Sequence, residues 1–533
     1  MTSTGTSART SEMIQVAPDD LGARVAGELG RGGRFVGMSA SSPADRSSPA
    51  DRSGPADRSG PGDEASREHR DWHCATTWLR AVVAHAGHYQ VFDSELRDGR
   101  RQYPSVTARV PAAFWYEREI HDLFGLEPEG HPRLDPLVFP ISGDGPERPR
   151  PGRADQNGPV TPNSSALAGH VEGEGVFTIP YGPVRSGIFE TVEYLVETFG
   201  EDIPRVRVRP YLKHRGVRRR FLDLGVKDAV VLAERVEGTM SVAHATALAE
   251  AFEALAQTEA PLCAQYQRVV HAELERVANH LDSMLRHCEG AGQAVAYARL
   301  GWAKERVMRL QASLCGHRFG RGLVTIGGTS GPPLLGALQA RSALEAIRAD
   351  LERDLSTLMT TPSFLDRLRR TGVIAHDEAS RHGALGPIGR ASGVDNDVRR
   401  FRPHGAYRYL STPAPSQRDD GDALSRQWVR IEEIRASLDL AGAALASLEH
   451  ARADTWSLPT EIPDGTAMSA VESPQGELLY MLDVEEGRVA GLHLRTASFH
   501  NFALFSSAFR GDIFTDFVFI EASFSVNLAG VAG

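Results

Sequence analysis

Residues 300–314 read LGWAKERVMRLQASL, and the apolar side chains in this stretch recur at steps of three and four residues. This spacing predicts an α-helix with a single apolar face. The same spacing recurs in residues 344–358 and 431–448, and residues 266–286 form a further helix candidate. Four such faces are most simply buried against one another in a helical bundle.

Strand patterns are found on both sides of the predicted bundle. Towards the carboxyl end, residues 477–484 and 488–494 alternate in hydropathy around Glu-Glu-Gly at 485–487, which predicts a β-hairpin. Towards the amino end, residues 78–86 predict a helix, and residues 89–92 alternate like a strand. The sequence therefore predicts an α+β fold, in which a small α/β domain precedes a mainly helical bundle with β elements at its ends.

The composition divides the chain into four parts. We predict a flexible amino terminus at 1–20, a small domain at 21–140, a linker rich in Pro, Gly, Asp and Arg at 141–164, and a larger domain at 165–533. Inside the small domain, residues 41–66 carry a repeated Pro-Ala-Asp-Arg-Ser unit. Such a segment cannot bury enough apolar surface to fold, so we predict a disordered insertion. A protein-binding arm is the alternative to a neutral insertion, and the composition favours the neutral one.

The chain of 533 residues has 59 basic and 69 acidic side chains, a formal net charge of -10 and no long basic stripe. Nucleic acid is therefore not an expected partner. No apolar stretch approaches the roughly 20 residues needed to cross a bilayer, and the amino terminus lacks the apolar centre of a signal peptide. We expect a cytoplasmic protein whose contact with a membrane is indirect, because the sequence has no basic amphipathic helix or lipidation motif.

Two charge-rich strings stand beside apolar and glycine residues. Residues 117–125 read EREIHDLFG and are followed by GHP at 130–132. Taken alone, this string predicts an exposed helix end with weak ion pairs. In the second string, Glu273, Arg276 and His280 share one face of a helix, which predicts a helix surface with an ion pair.

The first of these strings resembles the signature of the C-type subunit of complex I, the NADH-quinone oxidoreductase, and of the matching domain in formate hydrogenlyase large subunits. Further strings, in the same order, resemble the large subunits of group 4 hydrogenases: YGPVRSGIFE at 181–190, YLKHRG at 211–216, AELERVANHL at 272–281, GHRF at 316–319, GPIGRASG at 386–393, SPQGE at 473–477 and LRTASF at 494–499. The resemblance covers nearly all of the chain from residue 72 onward. It implies a fused pair of the C-type and D-type subunits of complex I. The small domain would be like the C-type subunit, and the helical domain like the D-type subunit and the nickel-iron hydrogenase large subunit.

In this family the first signature docks the C-type domain against its D-type partner. The resemblance therefore implies an interface in this chain, formed by Glu117, Arg118, Glu119, Asp122, Phe124, Gly125, His131 and Pro132. Their acidic and basic side chains would then pack inside the interface instead of facing solvent.

The family binds a nickel-iron centre through two CxxC pairs, and this sequence lacks both. The resemblance puts Glu237 and Met240 at the early pair, and Asn527 and Gly530 at the terminal pair. Because such a centre needs soft thiolate ligands, we expect no metal and no hydrogen turnover at nickel in this chain.

The D-type subunit of complex I has also lost these cysteines, and its vacated cavity houses the quinone headgroup beside a histidine and a tyrosine. Here the resemblance puts Phe189 and Gly238 opposite that pair, so quinone binding stays open. Three residues are candidate catalytic groups, in the cavity or in a proton relay. Glu190 stands where hydrogenases have a proton-relay glutamate, His244 lies beside the vacated early pair, and Arg185 replaces an expected histidine. A carboxylate in a dry cavity suits proton transfer near neutral pH, but Glu190 could equally pair with Arg185.

The resemblance implies an oxidoreductase subunit that couples electron transfer from iron-sulfur clusters in a B-type partner to a quinone-type cavity. Antiporter-like membrane subunits would translocate protons and hold the chain at the inner face of the cell membrane. Any NAD binding would belong to the rest of the complex, because the glycine-rich residues 327–332 show no dinucleotide fingerprint. A non-catalytic scaffold subunit is the main alternative, and an active formate hydrogenlyase-type hydrogenase is disfavoured by the missing cysteines.

Overall fold

The structure is a computed structural model that describes residues 11–41, 77–97, 99–138, 171, 173–185, 191–210, 214–414, 418–450, 461–531 and 533. Three of the predicted features fall outside these residues. They are most of the repeat insertion at 41–66, the linker at 141–164 and the candidate Glu190.

The small domain is built on a four-stranded sheet. Its elements are β1 (Ser11–Gln15), α1 (Leu21–Gly30), β2 (Arg34–Ser41), β3 (Thr77–Ala84) and β4 (Tyr89–Leu96). The strand order is β1-β4-β3-β2, with β1 parallel to β4 and the other neighbours antiparallel. Because β1 belongs to this sheet, residues 11–20 extend the small domain and are not part of a flexible terminus.

The predicted helix at 78–86 is wrong, because these residues form β3. This strand lies between β2 and β4, and both of its faces are covered. Leu79 and Val83 pack into the core of the small domain, whereas Val82 and Ala84 pack against strands of the larger domain. A strand buried on both faces has no polar alternation, so its sequence looks like that of a buried helix.

The rest of the small domain contains one helix and a pair of short strands that flank it in the sequence. The short strands β5 (Gln102–Pro104) and β6 (Glu127–Glu129) pair in parallel on either side of α2 (Phe114–Phe124). The helix ends at Gly125, whose φ of 65° is the left-handed conformation that commonly terminates helices.

The larger domain opens with an antiparallel sheet and short helices. These elements are β7 (Phe177–Tyr181), β8 (Glu193–Phe199), β9 (Asp202–Arg209), α3 (Val217–Phe221), α4 (Val226–Ala233) and α5 (Ser241–Leu255). The peptide bond between Gly182 and Pro183, just after β7, is cis.

The central part of this domain is helical. It contains α6 (Leu262–Gly290), α7 (Ala294–Cys315), β10 (Val324–Thr325), β11 (Gly328–Thr329), α8 (Ala337–Leu358), α9 (Pro362–Leu368), α10 (His376–His382), α11 (Gly386–Ala391), α12 (Val398–Phe401) and α13 (Ala423–His450). The apolar faces of α6, α7, α8 and α13 share one buried core, which confirms the predicted bundle.

The domain closes with a three-stranded antiparallel sheet and three short helices: β12 (Gly465–Ser473), β13 (Gly476–Glu485), β14 (Arg488–Arg495), α14 (Ala497–Phe502), α15 (Phe517–Phe524) and α16 (Leu528–Val531). The predicted hairpin is β13–β14. Its turn residues Glu486 and Gly487 both have positive φ, as a tight two-residue hairpin turn requires.

The two domains share buried surfaces. Val36, Val82 and Val91 of the small domain pack against Met468 and Leu479 of β12 and β13. On the opposite side, the aromatic rings of α2 pack on α14, a contact made by Trp115, Tyr116, Phe499 and Phe502. The α+β class and the order of the two domains are thus as predicted, and the small domain is bound to the carboxyl-terminal part of the larger one.

One surface predicted from the sequence is buried. Glu273, Arg276 and His280 on α6 are each 0% exposed. Arg276 donates to the backbone oxygens of Glu472 and Ser473, and His280 Nε2 lies 2.7 Å from a carboxylate oxygen of Glu433. The prediction of a helix surface was wrong because these partners lie far away in sequence. In the described part of the chain, no helix is both long and apolar enough to span a bilayer.

Candidate functional site

The four positions that stand for the missing cysteines come together in space. Glu237 follows α4 and Met240 directly precedes α5, whereas Asn527 and Gly530 lie at α16. A Cβ atom added to Gly530 would lie only 1.8 Å from Glu237 Oε1, so the two residues are in contact. The Asn527 amide nitrogen lies 3.3 Å from the hydroxyl oxygen of Thr239. The early and terminal segments therefore meet as they would around a shared ligand.

A buried chain of three polar side chains begins at this meeting point. Glu237 Oε2 lies 2.8 Å from His244 Nε2, and His244 Nδ1 lies 2.7 Å from the hydroxyl of Tyr480 on β13. Glu237 is 1% exposed, and the other two residues are 0% exposed. Burial, together with the nearby charge of Glu237, raises the pKa of Tyr480 well above its usual value. A carboxylate, an imidazole and a phenol are thus linked by hydrogen bonds away from solvent.

The residues at these positions do not fit a nickel-iron centre. A carboxylate, a thioether, an amide and a glycine stand where four thiolates are needed, and hard and soft donors select different metals. Among the described residues, no group of three or more His, Cys, Asp and Glu side chains is arranged to hold a metal ion. In this part of the chain, Glu237 Oε1 has no hydrogen-bond partner and packs towards Gly530.

A second buried carboxylate, that of Glu275, lies near these hydrogen-bonded side chains. Glu275 on α6 accepts hydrogen bonds from the backbone nitrogens of Val242 and Ala243, at 2.7 and 3.1 Å, at the first turn of α5. Burial raises the pKa of Glu275 to about 8, and the negative charge of Glu237 adds to this effect. The protonated form of Glu275 is therefore accessible at neutral pH.

Arg185 has a defined partner in the structure. Its guanidinium donates to both carboxylate oxygens of Glu521 on α15, at 2.9 and 2.6 Å. It also lies over the rings of Tyr181 and Tyr194, and the hydroxyl of Tyr194 donates to Glu521. These contacts anchor Arg185 between the β7–β8 sheet and α15. Glu190 and Phe189 lie outside the described residues.

The charged residues of the 117–132 segment are mostly buried, but most of their hydrogen bonds are made to other residues of the small domain. Glu117 accepts from Ser105 Oγ and from the backbone nitrogens of Val106 and Thr107. Arg118 donates to the backbone oxygens of Asp135 and Pro136, and Asp122 accepts from the backbone nitrogens of Leu137 and Val138, a set of contacts that holds the segment after β6.

Glu119 is the charged residue of this segment that reaches the larger domain, through an ion pair of 3.0 Å with Arg218. Phe124 packs against an apolar core that residues of both domains share, Gly125 ends α2, and His131 stacks on Phe114. Pro132 is exposed. Among the described polar contacts of this segment, the ion pair of Glu119 crosses to the larger domain, whereas those of Glu117, Arg118 and Asp122 lie within the small domain. The aromatic face of α2 was missed, although Trp115 and Tyr116 directly precede the charged string.

The chain resembles two families of known proteins. Residues 75–156 match the model of the respiratory-chain NADH dehydrogenase 30 kDa subunit, and residues 292–460 and 452–532 match that of its 49 kDa subunit.

Individual relatives cover most of the chain. The chain is 27% identical to formate hydrogenlyase subunit 5 of Escherichia coli (strain K12) over 432 residues, which is 79% of this chain and 75% of the relative. It is 30% identical to membrane-bound hydrogenase subunit alpha of Pyrococcus furiosus over 369 residues, which is 65% of this chain and 84% of the relative. It is 24% identical to a C/D subunit of the NADH-quinone oxidoreductase of Aquifex aeolicus, with 79% of each chain covered. The chain therefore belongs to the family that unites the 30 and 49 kDa subunits of the respiratory-chain NADH dehydrogenase with the large subunits of group 4 hydrogenases, and it carries both domains in one polypeptide.

Proposed function

We propose that this chain is the subunit of a membrane-associated, complex I-like assembly in which electron transfer is coupled to proton transfer. In this proposal, iron-sulfur clusters in a B-type partner supply electrons to a quinone-type acceptor, and antiporter-like membrane subunits translocate protons. The chain would sit at the inner face of the cell membrane through these partners. The names of its relatives, which include hydrogenase and NADH-quinone oxidoreductase subunits, support this placement.

The observation that carries the proposal is the buried chain of Glu237, His244 and Tyr480 at the position of the lost metal ligands. Each member has an ionisable group that is hydrogen-bonded to its neighbour, which is the arrangement that proton transfer along side chains needs. Glu237 Oε1, which has no hydrogen-bond partner among the described residues, is a further acceptor at the end of this series of side chains. Reduction of a quinone consumes protons as well as electrons, so a proton chain next to the acceptor is what such a reaction needs.

A quinone, when bound, would accept the electrons. Glu237, His244 and Tyr480 would supply and hold the protons. The hydrogen bond between His244 Nδ1 and the hydroxyl of Tyr480 holds both side chains in position. Arg185 is held by its ion pair with Glu521 and by the rings of Tyr181 and Tyr194.

A scaffold subunit without redox chemistry is the second candidate. It is favoured by one observation, the contact between Glu237 and Gly530, because this contact fills with protein the space between the early and terminal segments. The dense buried ion pairs of the bundle, such as those of Arg390 with Glu433 and Glu472, also fit a purely structural role.

The two candidates differ in what they predict for an assembled complex. The native complex would be purified with this chain tagged, and its metals, its iron-sulfur absorption and its quinone-reductase activity measured in one preparation. We expect iron-sulfur partners without nickel, and we expect Tyr480→Phe and Glu190→Gln to lower quinone reduction by roughly a hundredfold, the scale of a lost proton-transfer group. Tyr297→Phe, at a tyrosine that is 44% exposed, serves as the control and should leave the rate unchanged.

The scaffold candidate makes the opposite prediction. If the variant complexes assemble with their iron-sulfur partners, and quinone reduction is absent or indifferent to Tyr480→Phe and Glu190→Gln, then the redox proposal is wrong. Co-purification of the partners in every variant shows that the substitutions act on the reaction and not on assembly.

A further inference from the structure

A narrow pocket lies beside the buried chain of the candidate site. It is formed by α5, α6, the 3₁₀ turn at Gly405–Tyr409 and the end of β12. Glu250, Gln265 and Gly405 are close together at one end, and Ala243 and Glu275 line the pocket where the first turn of α5 meets α6. The free space has room for about one or two water molecules, which is too little for an organic ligand.

Polar atoms in the wall of this pocket lack partners. Thr246 and Gln265 are 5% and 7% exposed. Neither Thr246 Oγ1 nor Gln265 Oε1 has a hydrogen-bond partner among the described residues. Since Gln265 Nε2 donates to the backbone oxygen of Ala260, its Oε1 is the acceptor that faces the pocket unpaired. Buried polar groups in native proteins are rarely left unsatisfied, so these atoms indicate water in the pocket.

Groups that can exchange protons border the same space. His404 Nδ1 lies 2.8 Å from a carboxylate oxygen of Glu250. Glu472 is fully buried, and burial raises its pKa to about 7. Glu275 forms the wall nearest to the candidate site, because its carboxylate binds the first turn of α5, which also carries His244.

We infer that this pocket is a hydrated inlet that passes protons from solvent to the carboxyl group of Glu275, at the first turn of the helix that carries His244. In each exchange, Glu275 gives a proton to pocket water and takes a replacement from pocket water. No electron is transferred in this step, and the sum of charges is unchanged. The use of the inlet rests on the proposed function, but its existence does not.

A simpler role for Glu275 is to cap α5, since its carboxylate accepts two backbone hydrogen bonds at the helix start. Capping requires only an acceptor at this place and makes no use of the pocket. The inlet requires in addition that solvent protons reach Glu275 through the space next to Ala272 and Thr246. Blocking that space therefore separates the two roles.

The test is deuterium exchange at the Glu275 carboxyl group, followed by infrared spectroscopy on the resting complex without electron donor or acceptor. Subtraction of a Glu275→Gln spectrum identifies the carbonyl band of the protonated acid, and transfer to D₂O shifts that band at the rate at which deuterons arrive. Ala272→Leu fills the pocket, whereas Ala278→Leu makes the same change on another face of α6, where the side chain packs towards the bundle. Thr246→Val removes only the unpaired hydroxyl and keeps the volume.

We expect Ala272→Leu and Thr246→Val to slow the band shift by roughly tenfold or more, and Ala278→Leu to leave it at the wild-type rate. Thr246→Val decides the test if Ala272→Leu does not fold. The inlet is refuted if no protonated band disappears in Glu275→Gln, or if the pocket variants exchange as fast as wild type. Because no turnover is needed, a complex that exchanges as expected but does not reduce quinone would refute the proposed function alone.

Discussion

The carboxylate of Glu477 is the centre of the charged contacts between the two domains. Glu477 Oε2 accepts hydrogen bonds from Arg34 at 2.5 Å, from Arg402 at 2.6 Å and from the hydroxyl of Tyr89 at 3.1 Å. Its other oxygen accepts from Arg495. The side chain is 0% exposed, and burial alone would raise its pKa. The three positive charges outweigh burial and hold the pKa of Glu477 well below its usual range.

Glu477→Gln keeps the shape of this side chain and removes its charge. The three buried guanidinium groups would then lack their shared counter-charge, and loss of one member of a buried pair costs about 3–5 kcal/mol. Glu305→Gln is the matched control, since Glu305 on α7 also contacts two arginines, Arg309 and Arg318, but these are exposed. The control should cost about 0–1 kcal/mol.

Urea unfolding of the full chain at pH 7 and near pH 4 measures both effects. A carboxylate whose pKa is depressed in the folded state contributes stability above its unfolded pKa of about 4.3, and this contribution is lost as the pH falls towards the folded pKa. The gap between wild type and Glu477→Gln should therefore be full at pH 7 and start to narrow only below about pH 4. The reasoning fails if Glu477→Gln loses no more stability at pH 7 than the Glu305 control.

Two further substitutions test the packing of the candidate site. Gly530→Ala should destabilise the chain by about 1–3 kcal/mol in the same urea assay, because the added methyl group meets Glu237. Gly442→Ala in α13 is its control, where a Cβ would lie 3.8 Å from Leu344, and it should be neutral or stabilising by up to about 1 kcal/mol. Arg185→Ala should lower the unfolding midpoint, because it leaves the carboxylate of Glu521 without its arginine partner. Arg353→Ala, on an exposed face of α8, should leave the midpoint unchanged. Equal midpoints for the two arginine variants would contradict the anchoring role of Arg185.

The bundle could be predicted because the period of its apolar residues is a local property of each helix. The strand β3 could not, because its period is hidden when both faces are buried. Burial of charged residues could not be predicted either. The sequence pattern of Glu273 and Arg276 is typical of a helix surface, but in the structure Arg399 and the end of β12 contact them and exclude solvent. Burial of a charge depends on partners that are distant in sequence, and no local pattern reports them.

The candidate site was predicted in part. Glu237 and His244 were found through the resemblance, and the structure shows that they touch. Tyr480 and Glu275 were missed. Tyr480 faces inward from a strand and Glu275 from a helix, and their positions in the sequence show no periodic relation to His244. A tyrosine within the apolar run at residues 478–482 was the one available signal, since the hydroxyl of a buried tyrosine needs a partner.

The pairing of β2 with β3 fixes a point at which the chain can change in length. Ser41 lies directly opposite Trp78, so the chain leaves and re-enters the sheet at a single point. The number of residues between these two positions can therefore change without shifting the register of either strand. The same point can receive an affinity tag or a fluorescent label for isolating this chain with whatever binds it.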